Sequence, residues 1–458
     1  MSKLHFAVAV VLALVGSAEA KVRIPVTPSP LPEGDFLSRD FTATVAGENC
    51  DVRAGYLSFE TDGAVELKVK SLRPFKSAVV RPRSFGVKPK VAADEIRIWL
   101  PGAGWYLLEL DDGRSLAIFA NRWNGFEDDI RVAKHNYGPG VHDIGFKTLA
   151  KGDTVYIDRD AVVYGGFRLT NGVDEVRIVG YGVVDGSRLP RGGDRYDPER
   201  PRSLSARVAK NLRVRGPIFR NSPGLAVFGG GSCLFENVKV LGRPGEAVDG
   251  LDVVNAPLAT VRDSFFRVGG DAIALKGLKD YPKASVYSVA VSHSVLACEK
   301  GRAFGIGPET WVQSIRDVLV DDCDVISVGS AALAIDNGGP GSVQSVTVND
   351  IRVELRAGQS AADLLTINNR RLSPLPAPEW NFKYEGWMTV QDVSVRGVKV
   401  LAEATAAVPR VSVLSVTNTV KFGNITLSNF SLNGKKARPL ETFACETNAP
   451  AVRRLRAR

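Results

Sequence analysis

The strongest constraint on the fold is a strand motif that repeats from about residue 150 to near the end of the chain. The motif has the form V-x-V-x-[N/D/H]-x-x-[V/F], in which β-branched residues alternate and a turn residue follows. Successive copies lie 21 to 32 residues apart, with one interval of 47, and their central residues are Val214, Phe235, Val261, Val291, Val320, Val348, Val395 and Leu427. No amphipathic helical pattern of useful length separates the strands. Such a period predicts an all-β solenoid, a parallel β-helix in which each coil buries its apolar face on the next.

The repeat also suggests how the chain is divided. We expect the solenoid over residues 133–445 and a basic tail over 446–458. Residues 21–132 lack the period and alternate short strands with turns, which predicts a small antiparallel β-sandwich that covers the open N-terminal end of the solenoid. The long interval predicts a loop at roughly 356–387, and extra length also occurs at 187–207 and 277–283.

The first twenty residues have the features of a cleaved secretory signal. Lys3 supplies the positive start, Phe6 to Val15 the apolar run, and Ala18-Glu19-Ala20 the cleavage site. This run is too short to span a bilayer, and no later stretch is apolar enough to do so. We therefore expect a secreted or periplasmic protein without membrane insertion.

Charge and cysteine content exclude several classes of function. The formal net charge is +9, with a sequence pI of about 9.3, but the basic residues are scattered and no nucleic-acid-binding module is visible. Because charge alone is a weak functional signal, solubility explains it better than an acidic polysaccharide partner does. The five cysteines are too few for a disulfide scaffold, and neither they nor the histidines form a metal-binding pattern. No cofactor or metal is predicted, and the oligomeric state stays open.

Three aspartates form the main candidate catalytic group. Asp249 and Asp252 lie about one coil before Asp271, so coil stacking would bring carboxylates that are distant in sequence to one surface site. Glycoside hydrolysis needs such a pair, one carboxyl group as acid and one carboxylate to activate water. Asp249-Gly250 is also an ordinary turn pair, and Asp252 serves equally well as a support for Asp249.

The segments around these aspartates resemble those of polygalacturonase-type glycoside hydrolases. The matching segments over about residues 136–355 are YGPGVH (137–142), GDTVYIDRDAVVYGGF (152–167), GYGVVDG (180–186), RNSPG (220–224), VDGLD (248–252), GGDAIALK (269–276), GRAFGIGPET (301–310) and CDVISVGSAALAIDN (323–337). The N-terminal region resembles that of dextranase-like and bacterial polygalacturonase-like relatives. The resemblance implies a right-handed parallel β-helix and inverting hydrolysis of a glycosidic bond.

Carried over residue by residue, the resemblance also exposes departures. The N-T-D segment of the family matches residues 247–249, so the resemblance gives Asp249 a water-activating role. The Asp-Asp pair of the family matches Gly270-Asp271, so glycine stands at the position of the general acid. The histidine of G-H-G is Arg302. The R-I-K segment that grips a uronate matches 334–336, Ala-Ile-Asp, which lacks both cations. Polygalacturonate is therefore not the expected substrate.

Further residues are candidates for binding the sugar. Glu309 could replace the missing acid or bind hydroxyl groups, Arg302 should project near Asp271, and Lys276 is a ligand or a turn charge. Aromatic rings stack on sugar faces, and arginine can bind hydroxyls or an acidic group, which adds the loop residues Trp311, Trp380, Trp387 and Arg370.

The leading hypothesis is thus a glycoside hydrolase whose partner is a poly- or oligosaccharide. A carbohydrate-binding protein that has lost the acid at Gly270 is the first alternative. A polysaccharide lyase is the second, with Arg302 as the one base that can be named. The sugar, its linkage and endo or exo action are not readable from the sequence.

Overall fold

A computed structural model describes residues 20–27, 37–53, 55–123, 125–170, 172–197, 199–243, 245–278, 285–339, 341–359, 362–369, 389–415, 421–447 and 455–457. The expected signal segment lies outside these residues, apart from Ala20. Within the described part, no helix has both the length and the apolar character needed to cross a bilayer.

The N-terminal region is a β-sandwich of two five-stranded sheets. The first sheet contains Val22–Arg23 (β1), Tyr56–Thr61 (β4), Ala78–Arg81 (β6), Gly104–Leu110 (β9) and Ser115–Arg122 (β10); the second contains Phe41–Val45 (β2), Glu48–Cys50 (β3), Val65–Ser71 (β5), Lys90–Ala92 (β7) and Glu95–Leu100 (β8). Strand pairing is antiparallel except between β4 and β10, which run parallel. Alternating apolar residues of both sheets meet in one core.

The rest of the chain winds into a right-handed parallel β-helix with three faces. The first face contains His135–Tyr137 (β11), Thr154–Ile157 (β13), Arg177–Val179 (β15), Ala259–Arg262 (β22), Val286–Ser292 (β25), Ser314–Asp321 (β28), Ser342–Asn349 (β31), Thr389–Arg396 (β34), Lys421–Ser428 (β37) and Leu455–Ala457 (β41). The second contains Val183–Asp185 (β16), Ile218–Arg220 (β18), Lys239–Leu241 (β20), Phe265–Val268 (β23), Val295–Cys298 (β26), Asp324–Ser327 (β29), Arg352–Leu355 (β32), Lys399–Ala402 (β35), Phe430–Leu432 (β38) and its antiparallel neighbour Lys435–Ala437 (β39).

The third face carries the candidate site. It contains Leu251–Val254 (β21), Ile273–Gly277 (β24), Arg302–Thr310 (β27), Ala331–Asp336 (β30), Asp363–Asn369 (β33), Arg410–Ser415 (β36) and Ala444–Thr447 (β40). Four longer strands each take part in two faces: Gly140–Leu149 (β12), Ala161–Leu169 (β14), Leu204–Arg215 (β17) and Val227–Glu236 (β19). The short helices are Glu127–Val132 (α1), Pro439–Thr442 (α2) and the 3-10 turns Arg83–Phe85 and Gly186–Arg188.

The repeat read from the sequence corresponds to the strand register. Every central residue of the motif pairs with the next one in the series, from Val214 with Phe235 to Val395 with Leu427. The residue two positions later lies at the turn that ends the first face, where the backbone is left-handed; in order these residues are Gly216, Asn237, Asp263, His293, Asp322, Asp350, Gly397 and Asn429. Gly, Asn and Asp tolerate this conformation best, which explains the motif.

The sandwich packs on the second face of the solenoid instead of capping its end. Leu107 and Phe119 of the sandwich contact Phe265 and Val295 on coils well inside the solenoid. Arg81 reaches still further, to Glu354 on β32. The expected N-terminal cap is therefore a lateral cover, because the apolar side chains that need burial lie along this face.

Cysteine chemistry plays no part in this architecture. All five cysteines are unpaired, and four of them are buried within the sandwich or the coils. They act as small apolar residues there.

Candidate active site

On the third face, a row of mostly small residues lies beneath longer charged side chains. Asp252, Ala274, Gly305 and Ala334 are paired side by side on four successive coils. A Cβ atom at Gly305 would lie 2.8 Å from the guanidinium carbon of Arg302. Glycine is therefore needed at this position if Arg302 is to lie across the sheet.

Coil stacking brings Asp249 and Asp271 together. Both residues are in the turns that precede third-face strands, and the backbone N–H of Asp271 donates a hydrogen bond to Asp249 Oδ1 at 2.9 Å. Asp249 is 5% exposed and Asp271 9% exposed. Two carboxylates that are 22 residues apart in sequence thus share one nearly buried site.

Two cations hold Asp249 in its ionised form. Lys276 Nζ lies 2.9 Å from Asp249 Oδ2, and a guanidinium nitrogen of Arg195 lies 2.6 Å from the same oxygen. Burial alone would raise the pKa of Asp249, but Lys276 and Arg195 outweigh it and lower the pKa to about 2. Asp249 is therefore a carboxylate at neutral pH.

Asp252 is in a different state although it shares Lys276. Its Oδ2 accepts a hydrogen bond from Lys276 at 2.8 Å, but the residue is completely buried, and its Oδ1 has no hydrogen-bond partner among the described residues. Burial, and then the charge of Asp249, raise the pKa of Asp252 to about 7 against the attraction of Lys276. Because no part of Asp252 is open to a substrate, its contribution is to the charge balance around Asp249.

Arg302 bridges Asp271 and Asp336. Its Nε lies 3.1 Å from each carboxylate oxygen of Asp271, and its backbone N–H donates to Asp271 Oδ1 at 2.7 Å. A terminal guanidinium nitrogen of Arg302 donates to Asp271 Oδ2. The other terminal nitrogen donates to Asp336 Oδ2 at 3.1 Å. Although burial opposes it, these carboxylates raise the pKa of Arg302 above its ordinary value. Arg302 is thus held as a cation between two carboxylates.

Glu309 lies at the centre of this network. Electrostatic interactions connect it to all three cations, Arg195, Lys276 and Arg302. Tyr196 Oη donates a hydrogen bond to Glu309 Oε1 at 2.5 Å, whereas Oε2 has no partner in the described part of the chain. The side chain is therefore oriented by one oxygen, and the other is buried without a hydrogen bond to the described residues.

Sequence reasoning missed Arg195 and Tyr196. Both belong to the loop of residues 189–203, which joins β16 to β17 and reaches the site from four coils away. Tyr196 packs near Phe228, Val254 and Leu278, with its ring 5.3 Å from Lys276 Nζ. The extra length noted at 187–207 marked this loop, but length alone does not reveal which side chains enter the site.

The remaining predicted binding residues are only partly accounted for. Trp311 directly follows β27, is partly buried, and donates its backbone N–H to the carbonyl of Gly277 at 2.7 Å. Trp380, Trp387 and Arg370 lie outside the described residues. No group of three or more His, Cys, Asp or Glu side chains in the described ranges is arranged to hold a metal ion.

The structure gives a physical reason for Gly270. A Cβ atom at this position would lie 2.2 Å from Asp249 Oδ1 and 2.9 Å from the carbonyl carbon of Val248. The carboxylate of Asp249 occupies the space into which a side chain at 270 would grow. The glycine is thus coupled to the hydrogen bond between Asp271 and Asp249.

Comparison with known proteins finds likeness in structure but not in sequence. No protein-family model and no curated protein sequence matches the chain. The solved structure of Dex49A from Penicillium minioluteum superposes with a TM-score of 0.65 at 14% identity, over 95% of this chain and 96% of that one. The chain has the same fold. Two further matches are a family 28 exopolygalacturonase from Yersinia enterocolitica (TM-score 0.47, 13% identity, 84% and 96% coverage) and a polygalacturonase from Erwinia carotovora ssp. carotovora (0.48, 16%, 67% and 86%).

Identity at this level shows the fold alone. A sandwich followed by a right-handed parallel β-helix is confirmed; the sequence pattern predicted the sandwich and the β-helix, and the family resemblance implied its right hand.

Proposed function

We propose that the protein is a glycoside hydrolase that cleaves O-glycosidic bonds of a poly- or oligosaccharide by single displacement with inversion, and that polygalacturonate is not its substrate. The observation that carries this proposal is the arrangement around Glu309. Asp249 is ionised and lies beside Asp271 where two coils stack. Glu309, whose Oε2 has no partner in the described chain, lies on the next coil. Inverting hydrolysis needs these two parts, a base for water and an acid for the leaving group.

Asp249 and Asp271 are the proposed base. Lys276 and Arg195 keep Asp249 ionised, and the fork of Arg302 fixes Asp271. Arg302 Nε is shared between the two oxygens of Asp271 at 3.1 Å, so a water that donates to one oxygen would displace only one half of that shared bond. Asp252, being fully buried, supports Asp249 and does not touch the substrate.

Glu309 is the proposed acid, which replaces the group that Gly270 does not provide. Tyr196 binds Oε1, so the proposed proton donor is Oε2, which has no partner among the described residues. General acid catalysis of this type contributes roughly 10² to 10⁴ in rate. Arg195 and Tyr196 belong to the site as orienting residues.

The charge of the site argues against a uronate. The cations Arg195, Lys276 and Arg302 are all engaged by aspartates, so none is free for a substrate carboxylate. Asp336 takes one of the positions at which the resembling enzymes have a cation. An anionic sugar ring would therefore meet a carboxylate whose cation, Arg302, is already shared with Asp271.

The test is digestion of a glycan panel with analysis of the products, using Asp271→Asn and Glu309→Gln. We expect release of reducing sugar by the wild type on at least one neutral or basic glycan, a loss of roughly 10² to 10⁴ in kcat in each variant, and products of inverted anomeric configuration. Asp317→Asn is the matched control, because Asp317 pairs with Arg316 on the first face. Unchanged turnover in Asp271→Asn would refute the assignment.

A binding protein without activity is the second candidate. It is favoured by the complete occupation of Asp271 by Arg302 and of Asp249 by two cations. This candidate predicts saturable glycan binding, no product from any glycan in the panel, and no change in binding on Glu309→Gln.

A further inference from the structure

Next to the proposed catalytic residues, two buried side chains present hydrogen-bond acceptors that nothing in the described chain satisfies. Asp336 on β30 pairs in register with Asn368 on β33. Asp336 is 9% exposed and Asn368 3% exposed. The side-chain amide of Asn368 is bonded to Asp336, yet Asp336 Oδ1 and Asn368 Oδ1 have no donor among the described residues.

Among the described residues, the same place also has a deficit of positive charge. Arg302 is the cation bound to both Asp271 and Asp336, so two carboxylates share one guanidinium. Burial raises the pKa of Asp336, with Arg302 and Asn368 opposing the shift. Buried acceptors without partners are costly and uncommon in native proteins. A ligand that supplies both donors and positive charge would correct both defects.

The chemistry of the missing partner follows from these acceptors. A sugar hydroxyl has one O–H and no charge, whereas an ammonium group has three N–H donors and a full positive charge. Hydrogen bonds between ionised partners are roughly twice as strong as neutral ones. A carboxylate oxygen and an amide oxygen on adjacent coils therefore match an ammonium group better than a hydroxyl.

We propose that Asp336 and Asn368 bind the protonated amino group of a hexosamine unit, so that the substrate is a glycan of amino sugars with free amines. This inference rests on the proposed function, since it identifies the substrate class of the same site. N-acetylation would remove the charge and add bulk at the two oxygens. A uronate would place like charges together.

Titration calorimetry tests the proposal without depending on turnover. The wild-type protein is titrated with oligomers of glucosamine, N-acetylglucosamine, glucose and galacturonate of equal length. We expect glucosamine oligomers to bind at least 10-fold more tightly than the other three. Equal or tighter binding of N-acetylated, neutral or acidic oligomers, or no binding of glucosamine oligomers, would overturn the proposal.

A variant of Asp336 tests whether this residue causes the preference for glucosamine oligomers. Asp336→Asn keeps the shape of the side chain and removes its charge, so we expect the preference for glucosamine over glucose oligomers to fall at least 10-fold, with Asp317→Asn unchanged. A retained preference would exclude Asp336 as the ligand. Binding of glucosamine oligomers without hydrolysis would refute the proposed function but not this site, and hydrolysis of a neutral glycan without amine preference would refute the site but not the function.

Discussion

Two clusters of buried charge in this molecule differ in how completely their acceptors are used. At the interface between sandwich and solenoid, Arg81 binds Glu109, Glu354 and Glu403 through its three guanidinium nitrogens. The second oxygen of each glutamate is also bound, to Arg356, to the N–H of Arg83 and to the N–H of Ala357, respectively. All six carboxylate oxygens of this cluster have partners.

The charge cluster on the third face contains carboxylate oxygens that accept no hydrogen bond from the described residues. Asp252, Glu309 and Asp336 each have one oxygen without a hydrogen bond in the described chain, although all three are less than a tenth exposed. The interface cluster joins two antiparallel strands of the sandwich, β6 and β9, to the second face, whereas the other cluster lies on the parallel strands of the third face. The protein itself uses every carboxylate oxygen of the interface cluster, although Arg356 Nε has no partner in the described chain, and it leaves three acceptors over on the third face.

The largest expected effect comes from opening the interface cluster. Arg81→Met removes the cation shared by the buried Glu354 and the partly buried Glu109 and Glu403, and we expect the free energy of unfolding to fall by about 3–5 kcal/mol. Urea denaturation measures it. Arg97→Met, on the exposed outer face of the sandwich, is the control and should change stability by less than about 0.5 kcal/mol. A small effect of Arg81→Met would mean that the two clusters do not differ in the way described.

A smaller effect is expected from crowding the site cluster. Gly270→Ala places a methyl group 2.2 Å from Asp249 Oδ1, so Asp249 must move and lose its bond to Asp271. We expect a loss of about 1–3 kcal/mol in stability, measured by thermal or urea unfolding, together with loss of activity. Gly138→Ala is the control, because a Cβ there meets nothing within 4 Å. Wild-type activity in Gly270→Ala would show that the position of Asp249 is not essential.

The last prediction concerns how the stability of the protein depends on pH. The folded state holds a proton on Asp252 up to about pH 7, whereas the unfolded chain releases it near the ordinary value of 3.8. Folded Asp252 thus binds the proton more tightly, and its contribution to stability falls as pH rises from about 4 to 7. We expect Asp252→Asn to gain stability relative to the wild type as pH rises through this window, because the amide has no proton to lose. The measurement is urea unfolding at several pH values, and a constant difference between the two proteins would contradict the burial effect.

The sequence predicts most of the fold because the physics of each coil is local. A left-handed turn residue two places after each central residue, and β-branched residues before it, are readable without tertiary contacts. The position of the sandwich was not readable, because its apolar outer face does not reveal whether it meets the end or the side of the solenoid. The proximity of Asp271 to Asp249 and to Arg302 followed from the coil length.

The site was predictable only where the repeat governs it. Arg195 and Tyr196 arrive from a loop that leaves the repeat, so no spacing connects them to Asp249 or Glu309. The raised pKa of Asp252 depends on its complete burial, which a turn motif does not show. Gly270 appeared as the loss of an acid, whereas in three dimensions it is the space that Asp249 occupies.

The placement of Glu309 has a consequence for how a glycan chain would be registered along the molecule. β24, which follows Asp271, and β27, which contains Glu309, are hydrogen-bonded neighbours, and neighbouring strands are roughly 4.7–4.9 Å apart. Glu309 is not the equivalent of position 270 on that rung. A Cβ at Gly301 would lie 2.2 Å from the carbonyl carbon of Gly270, whereas Thr310, the neighbour of Glu309, pairs with Gly277. An acid at Glu309 would therefore shift the scissile bond along the strand as well as by one rung along the solenoid axis. Sugar positions transferred from a superposed relative would then be wrong in both directions.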